Sequence, residues 1–181
     1  MKAFIVKSYG KKEKLHLTNV SEPTINENET LVQIHSAGVN LLDSLVRNGE
    51  FKIFLPYKTP FVSGHDMAGI ITKVGTKVSK YKIGDEVYAR PADFKIGTFA
   101  EYLSVNENDL ALKPKNLSMD EAASIPLVGL TAWQALVEIA KLKKGQNVFI
   151  QAGSGGVGTF AIQLAKHIGA YVATSTSAAN T

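Results

Sequence analysis

The chain has 181 residues, 45% hydrophobic, 20% charged and 8% aromatic, a globular composition that argues against long-range disorder. Its net charge of +4 comes from 20 Lys and Arg against 16 Asp and Glu, scattered without a basic block, so no nucleic-acid partner is expected. Cysteine is absent, which excludes disulfides, thiolate nucleophiles and every zinc site that needs a Cys ligand.

The length suits one domain or one and a fraction. At the N-terminus, Lys2 and Lys7 bracket only four apolar residues. A signal peptide needs roughly 7–15 and a membrane span about 20. The chain is therefore expected to be soluble and cytoplasmic, with no membrane partner.

Residues 1–113 read as short strands with turn punctuation. Leu31–Ser36 has apolar positions compatible with period two, and Ala68–Val74 is rich in β-branched residues and stops at Gly75. Lys82–Ala89 reads as a turn feeding a strand, and Phe99–Val105 as another strand. Such spacing suggests a small barrel or sandwich. A short helix over Leu41–Arg47, ended by Asn48-Gly49, interrupts it.

The pattern changes near Lys113-Pro114. Ser118-Met119-Asp120-Glu121 is a capping-box signature. The short helix it opens is expected to stop at Pro126. A second helix is expected from Gly129 to the lysines at 141–144, with Trp133 in the core, since cations favour a helix C-terminus. Asn147–Gln151 reads as a buried strand. Val157, Phe160, Ala161, Leu164, Ala165 and Ile168 then share one helical face, Gly169 ends it, and Tyr171–Thr174 starts another strand. Residues 147–174 thus form a β-α-β unit.

Between the first strand and the helix of that unit stands Gly153-Ser154-Gly155-Gly156-Val157-Gly158. The spacing is G-x-G-x-x-G, and the strand–turn–helix context is the one a dinucleotide site requires. Backbone amides at the helix start face an anion there, aided by the helix dipole. A glycine-rich turn without a ligand is the alternative. After the second strand, Thr174, Ser175 and Thr176 stand where an acidic residue holds the ribose hydroxyls of NAD. Hydroxyls accommodate a 2′-phosphate that a carboxylate would repel, so NADPH is favoured over NADH. A plain polar loop is the other reading of these residues.

Five motifs precede the glycine-rich loop in order: Gly38-Val39-Asn40-Leu41-Leu42-Asp43, Gly64-His65-Asp66-Met67-Ala68-Gly69, Val74-Gly75, Gly84-Asp85-Glu86-Val87 and Gly129-Leu130-Thr131-Ala132-Trp133. Together they resemble the medium-chain dehydrogenase/reductase superfamily, and most closely its zinc-free quinone oxidoreductase, or zeta-crystallin-like, branch. The resemblance implies an α/β plus β fold. Residues 1–117 would be a GroES-like β-barrel catalytic domain, and 118–181 would begin a Rossmann dinucleotide-binding domain with NADPH in the cleft between them. It further implies a homodimer that transfers hydride from NADPH to a small hydrophobic quinone or other activated enone. A 2-enoyl thioester reductase of the same superfamily and a non-catalytic, crystallin-like NADPH-binding protein are the alternatives. Family members are much longer. The chain is therefore expected to be an N-terminal portion, inactive by itself and binding NADPH weakly or not at all.

The resemblance also bears on single residues. In zinc alcohol dehydrogenases the position matching Asn40 is a Cys ligand, and a His follows the Gly matching Gly64. His65 is kept here but cannot hold catalytic zinc alone, so no zinc is expected and His65 reads as a satisfied structural histidine. Asn40 and Asp43 are the catalytic candidates. Asn40 is either a donor to the substrate oxygen or a turn cap. Asp43 either caps the short helix or takes part in chemistry, and Arg47 is solvated or paired with Asp43. Thr131 matches a Thr that reaches the nicotinamide amide, or simply serves the helix start. Some quinone reductases carry tyrosines where Leu45 and Phe51 stand, so proton donation there is lost. The apolar run Phe51, Phe54, Leu55, Tyr57, Phe61 suits a flat substrate or a packed loop.

Overall fold

The computed structural model describes residues 1–180; Thr181, the last residue of the expected second domain, lies outside the described residues. The chain divides into two compact units, Met1–Pro126 and Leu127–Thr181.

The first unit is built on two antiparallel sheets. Strands β1 (Lys2–Val6), β2 (His16–Asn19) and β4 (Phe61–Val62) pair in the order β2-β1-β4. Strands β3 (Glu29–Gly38), β5 (Asp66–Val74), β6 (Glu86–Ala89), β7 (Tyr102–Asn106) and β8 (Leu110–Leu112) pair in the order β7-β3-β5-β6-β8. The sheets are tied by main-chain bonds from Phe4 N to the Phe99 carbonyl at 2.8 Å and from Ile34 N to the Glu101 carbonyl at 2.9 Å. Those bonds occupy residues 99–101, so the strand expected from Phe99 starts only at Tyr102. Side chains alternate across each strand, and the inward set Val32, Met67, Ile71, Val87, Ala89, Val105 and Leu110 forms one apolar cluster. Each of the large members, fully buried, stabilises the fold by about 1.5–3 kcal/mol.

Helix α1 (Leu41–Asn48) connects β3 to β4, and Gly49 ends it at φ 84° with its amide on the Val46 carbonyl. Helix α2 (Met119–Ala123) packs on β3, β5 and β6 through Ala122 and Ala123, so the first unit extends past residue 117 to Pro126. Its capping box is closed: Glu121 N donates to Ser118 Oγ at 3.2 Å, and Ser118 N to Glu121 Oε2 at 2.8 Å. Ser118→Ala is expected to cost about 1 kcal/mol in chemical denaturation. The bond from the Ser118 amide, then that from the Ser118 side chain, holds the Glu121 carboxyl below its usual range. Because the folded value is lowered, the stabilisation from Glu121 is present at neutral pH and fades as pH falls through that value.

The short helix ends at Ala123, before Pro126 as expected, but Pro126 itself begins the next helix, three residues ahead of the expected Gly129. Helix α3 runs Pro126–Trp133, since Pro suits the first turn, where its missing amide would have had no partner. It passes into a π-helical stretch, Gln134–Ile139, capped at Ala140 just short of the lysines. Strand β9 (Asn147–Ile150), helix α4 (Gly156–Ile168) and strand β10 (Tyr171–Thr174) form the expected β-α-β unit, with β9 and β10 parallel and Val148 opposite Val172. The core here is Ala132, Leu136, Ile150, Ala161 and Ala165. Two sequence expectations fail. Trp133 is 47% exposed rather than buried, and along β9 only Ile150 is buried while Phe149 is 66% exposed. The pair β9–β10 is covered on the face that packs α4, and a parallel sheet needs cover on both faces to bury alternate residues. No described helix is long and apolar enough to cross a membrane.

Candidate functional site

In the second unit, β9 ends at Ile150 and the chain turns sharply through Gln151–Gly155 into α4. The turn is strained: Ala152 takes φ 56°, a left-handed value that costs an L residue energy and clusters at functional sites. Gly155 N donates to the Ala152 carbonyl at 3.0 Å, and Gly153 N to the Ser175 carbonyl at 2.9 Å. Two glycines are dictated by this packing. A Cβ on Gly153 would stand 2.2 Å from Thr174 Oγ1, and one on Gly158 2.4 Å from the Ala152 carbonyl oxygen. Gly155 differs. Its φ is −79°, and a Cβ there would meet one atom, the Ala152 oxygen, at 3.3 Å. The fold needs glycine less at 155 than at 153 or 158, whereas a ligand lying against the backbone would need it.

Gly155 caps α4 without a side chain. Thr159 N is the first amide to find a carbonyl, that of Gly155 at 2.9 Å. The amides of Gly156, Val157 and Gly158 therefore belong to the set a helix leaves without intrahelical acceptors. No acid stands in the first turn, so the positive end of the dipole is uncompensated there. The residues present fit a pyrophosphate.

The hydroxyl row after β10 divides. Thr174 Oγ1 donates inward to the Ile150 carbonyl at 2.6 Å. Ser175 Oγ accepts from Ala152 N at 3.3 Å and keeps its own proton to offer. Thr176 Oγ1 donates to Ser154 Oγ at 3.1 Å, leaving the Ser154 hydroxyl free to donate outward. Ser154 and Ser175 thus keep a hydroxyl proton to offer beside the turn and Thr176 an accepting oxygen, while the Thr174 proton is committed to the fold. Thr131 is exposed, and its Oγ1 donates back to the Leu127 carbonyl at 2.7 Å, the helix-internal bond of its structural reading.

In the first unit, Asn40 and Asp43 stand at the start of α1. Asp43 Oδ2 accepts from the Asn40 amide at 2.7 Å, so Asp43 does cap the helix. Its other oxygen, Oδ1, takes His65 Nδ1 at 2.6 Å, with Asp43 5% and His65 0% exposed. An ionised carboxylate only accepts, so the ring proton is assigned to Nδ1. Asp43 therefore pairs with His65 and not with Arg47, whose Nη2 donates to Asn48 Oδ1 at 3.1 Å. A buried carboxylate needs such a partner, whereas an i,i+4 pair on the surface contributes little. His65 is less satisfied than expected, since Nε2 is buried without a hydrogen-bond partner. Asn40 Nδ2 donates to Asp66 Oδ2 at 3.0 Å, which leaves one amide hydrogen of Asn40 to donate elsewhere. Sequence reading missed Asp66 and the His65–Asp43 pairing. The signal lay in Gly64-His65-Asp66 itself, two polar residues opening an apolar strand. No group of three or more His, Cys, Asp or Glu that could hold a metal occurs among the described residues.

The aromatic run past α1 is partly packed. Tyr57 lies 5.2 Å from Phe61 and 5.5 Å from Phe94 between ring centroids, and Tyr9 Oη donates to the Tyr57 carbonyl. Burial pushes the Tyr57 and Tyr9 phenols above their usual range. Ile53 and Phe54 are 90% and 77% exposed.

The alcohol dehydrogenase GroES-like domain model matches residues 26–115. The tomato 2-methylene-furan-3-one reductase is 42% identical over 93% of this chain and 45% of its own length. The Arabidopsis chloroplastic NADPH-dependent alkenal/one oxidoreductase is 39% identical over the same shares, 93% and 45%. Among solved structures, the quinone oxidoreductase of Coxiella burnetii superposes with a TM-score of 0.89 at 36% identity, over 99% of this chain and 57% of that one. The chain spans about half the length of the curated relatives it matches.

Proposed function

Since this chain belongs to the medium-chain dehydrogenase/reductase superfamily, we propose that it serves an NADPH-dependent reduction of a quinone or other activated enone without zinc. The observation that carries the reading is the glycine-rich turn. Three amides at the start of α4 are without intrahelical acceptors, and position 155 keeps a glycine that packing demands less than at 153 or 158. Relatives and a structural neighbour that act on such acceptors support the substrate class.

The amides of Gly156, Val157 and Gly158 would hold the pyrophosphate, and Ser154, Ser175 and Thr176 the ribose end. When bound, a reduced nicotinamide supplies hydride. Within the first unit, the remaining amide hydrogen of Asn40 would be the donor to an acceptor oxygen that gains charge, with Asp66 and Asp43 fixing its direction. Exposed Ile53 and Phe54 offer a flat apolar rest to the ring. Homodimer formation and a cytoplasmic location belong to the same proposal, although the Arabidopsis relative is chloroplastic.

Stopped-flow oxidation of NADPH by a naphthoquinone, compared with a crotonyl thioester, tests the reading on a protein that carries these residues at the full length of the matched relatives. Faster transfer to the quinone is expected. Faster transfer to the thioester moves the assignment to enoyl reduction, and nucleotide binding without turnover on either favours a non-catalytic role. Ser175→Asp would add a carboxylate to the hydroxyl row proposed to take the 2′-phosphate, and the NADPH-to-NADH preference is expected to fall by about tenfold or more in binding titrations.

A further inference from the structure

The second unit carries a cationic end unrelated to the glycine-rich turn. Residues 127–181 hold four lysines, no arginine and one acid, Glu138, so three of the four net positive charges of the chain lie there. In sequence the cations are separated: Lys141, Lys143 and Lys144 precede β9, and Lys166 with His167 closes α4. The fold brings them together. Strand β9 leads away from the lysine-rich turn to the glycine-rich one, and α4 runs back. Gly145 N donates to the Gly169 carbonyl at 2.9 Å, Tyr171 N to the Gln146 carbonyl at 2.8 Å, and a Cβ on Gly169 would stand 3.0 Å from Lys144 Cγ. The four lysines and His167 are all exposed.

Their electrostatic setting differs from that of the first unit. There, 16 Lys and Arg stand against 15 Asp and Glu, and six of the fourteen lysines, Lys11, Lys73, Lys77, Lys82, Lys95 and Lys113, lie within 4.0 Å of a carboxylate. Among the described residues, Lys141, Lys143, Lys144 and Lys166 make no ion pair, and neither does Glu138. Helix dipoles account for cations in a last turn. They do not account for Lys143 and Lys144 on the turn itself. Ile139, 80% exposed, stands two residues before Lys141.

We propose that this end of the second unit is a docking surface for an anionic lipid headgroup layer. A lysine ammonium is a mobile point charge without the fork that matches a single carboxylate. Several of them, unpaired and beside an exposed isoleucine, suit a diffuse layer of negative charge over apolar chains better than a shaped acidic pocket on a protein. The scatter of these lysines along the chain hides the patch from a sequence reading.

Cosedimentation of the 181-residue chain with phosphatidylcholine vesicles, with and without roughly one-third phosphatidylserine, tests the proposal. Pelleting with the anionic vesicles alone is expected, with release as salt is raised. Single Lys→Gln changes at 143, 144 or 166 are each expected to lower the partition coefficient about fivefold, and combined Lys143→Glu, Lys144→Glu and Lys166→Glu to abolish pelleting. Salt release of the unmodified chain reads the same charge effect without any variant. Equal pelleting with neutral vesicles, or anionic binding that neither salt nor the charge reversals weaken, overturns the proposal. Retention of the chain by polyglutamate or duplex DNA without any by the vesicles overturns it as well.

Discussion

Gly155→Ala and Gly158→Ala are expected to separate nucleotide binding from folding. At 158, an added methyl would press on the Ala152 carbonyl oxygen at 2.4 Å and on Gly153 Cα at 2.8 Å. Both are backbone atoms of a turn whose Ala152 already sits at φ 56°, so relief requires the turn to open. Overpacking of this kind costs about 1–3 kcal/mol, and Tm should fall by roughly 5–10 °C. NADPH affinity should fall with it, because the amides that face the anion move. At 155, the methyl meets one oxygen at 3.3 Å with an ordinary φ of −79°. Replacing a favoured cap residue by a poor one, it should cost about 1 kcal/mol, at the low end of the range for position 158. The same methyl lies where the pyrophosphate approaches, and NADPH affinity is expected to drop tenfold or more on a melting curve lowered less than at 158. Differential scanning calorimetry beside a nucleotide titration reads both. Equal stability losses in the two variants, or undiminished NADPH binding by Gly155→Ala, would contradict the assigned roles.

Asp43→Ala carries the second large effect. The carboxylate is a junction between α1 and the segment leading into β5, accepting from the Asn40 amide at 2.7 Å and from His65 Nδ1 at 2.6 Å in a nearly solvent-free place. Were it only a helix cap, its removal would cost about 1 kcal/mol. As the partner of a buried imidazole whose Nε2 already lacks a bond, it leaves the His65 ring without a hydrogen bond and should cost about 1–3 kcal/mol beyond the cap. Urea denaturation distinguishes the two values. Asp43→Asn, which keeps an accepting oxygen, should lose clearly less than Asp43→Ala. Losses near 1 kcal/mol for Asp43→Ala would return Asp43 to the simple capping role.

Local chemistry was the legible part of this chain. The capping box at Ser118 and Glu121, the left-handed stops at Gly49 and Gly169, and the helical face from Phe160 to Ala165 each depend on neighbours a few residues apart, and each stands as the spacing predicts. The short helix does end before Pro126, but the start of the next helix there was missed because proline is equally at home in a first helical turn and beyond a helix end. Trp133 and Phe149 were misplaced because an apolar residue records what it would bury, not whether a covering layer is there. At the candidate site, the glycine-rich turn was visible since its spacing is its geometry. The His65–Asp43 bond spans 22 positions, and the lysine patch joins residues 144 and 166 through a strand and a helix. Nothing local announces either, and the i,i+4 pair of Asp43 with Arg47 was the nearer but weaker choice.

The most direct test of the central claim is a two-dimensional amide spectrum of the isotopically labelled chain, titrated with NADPH into the millimolar range so that weak binding is also seen. The largest shifts are expected at Ser154, Gly156, Val157 and Gly158, and they should persist with the diphosphate-containing ADP half of the molecule. Shifts that avoid the turn before α4, or that gather at Lys143, Lys144 and Lys166 instead, would contradict it.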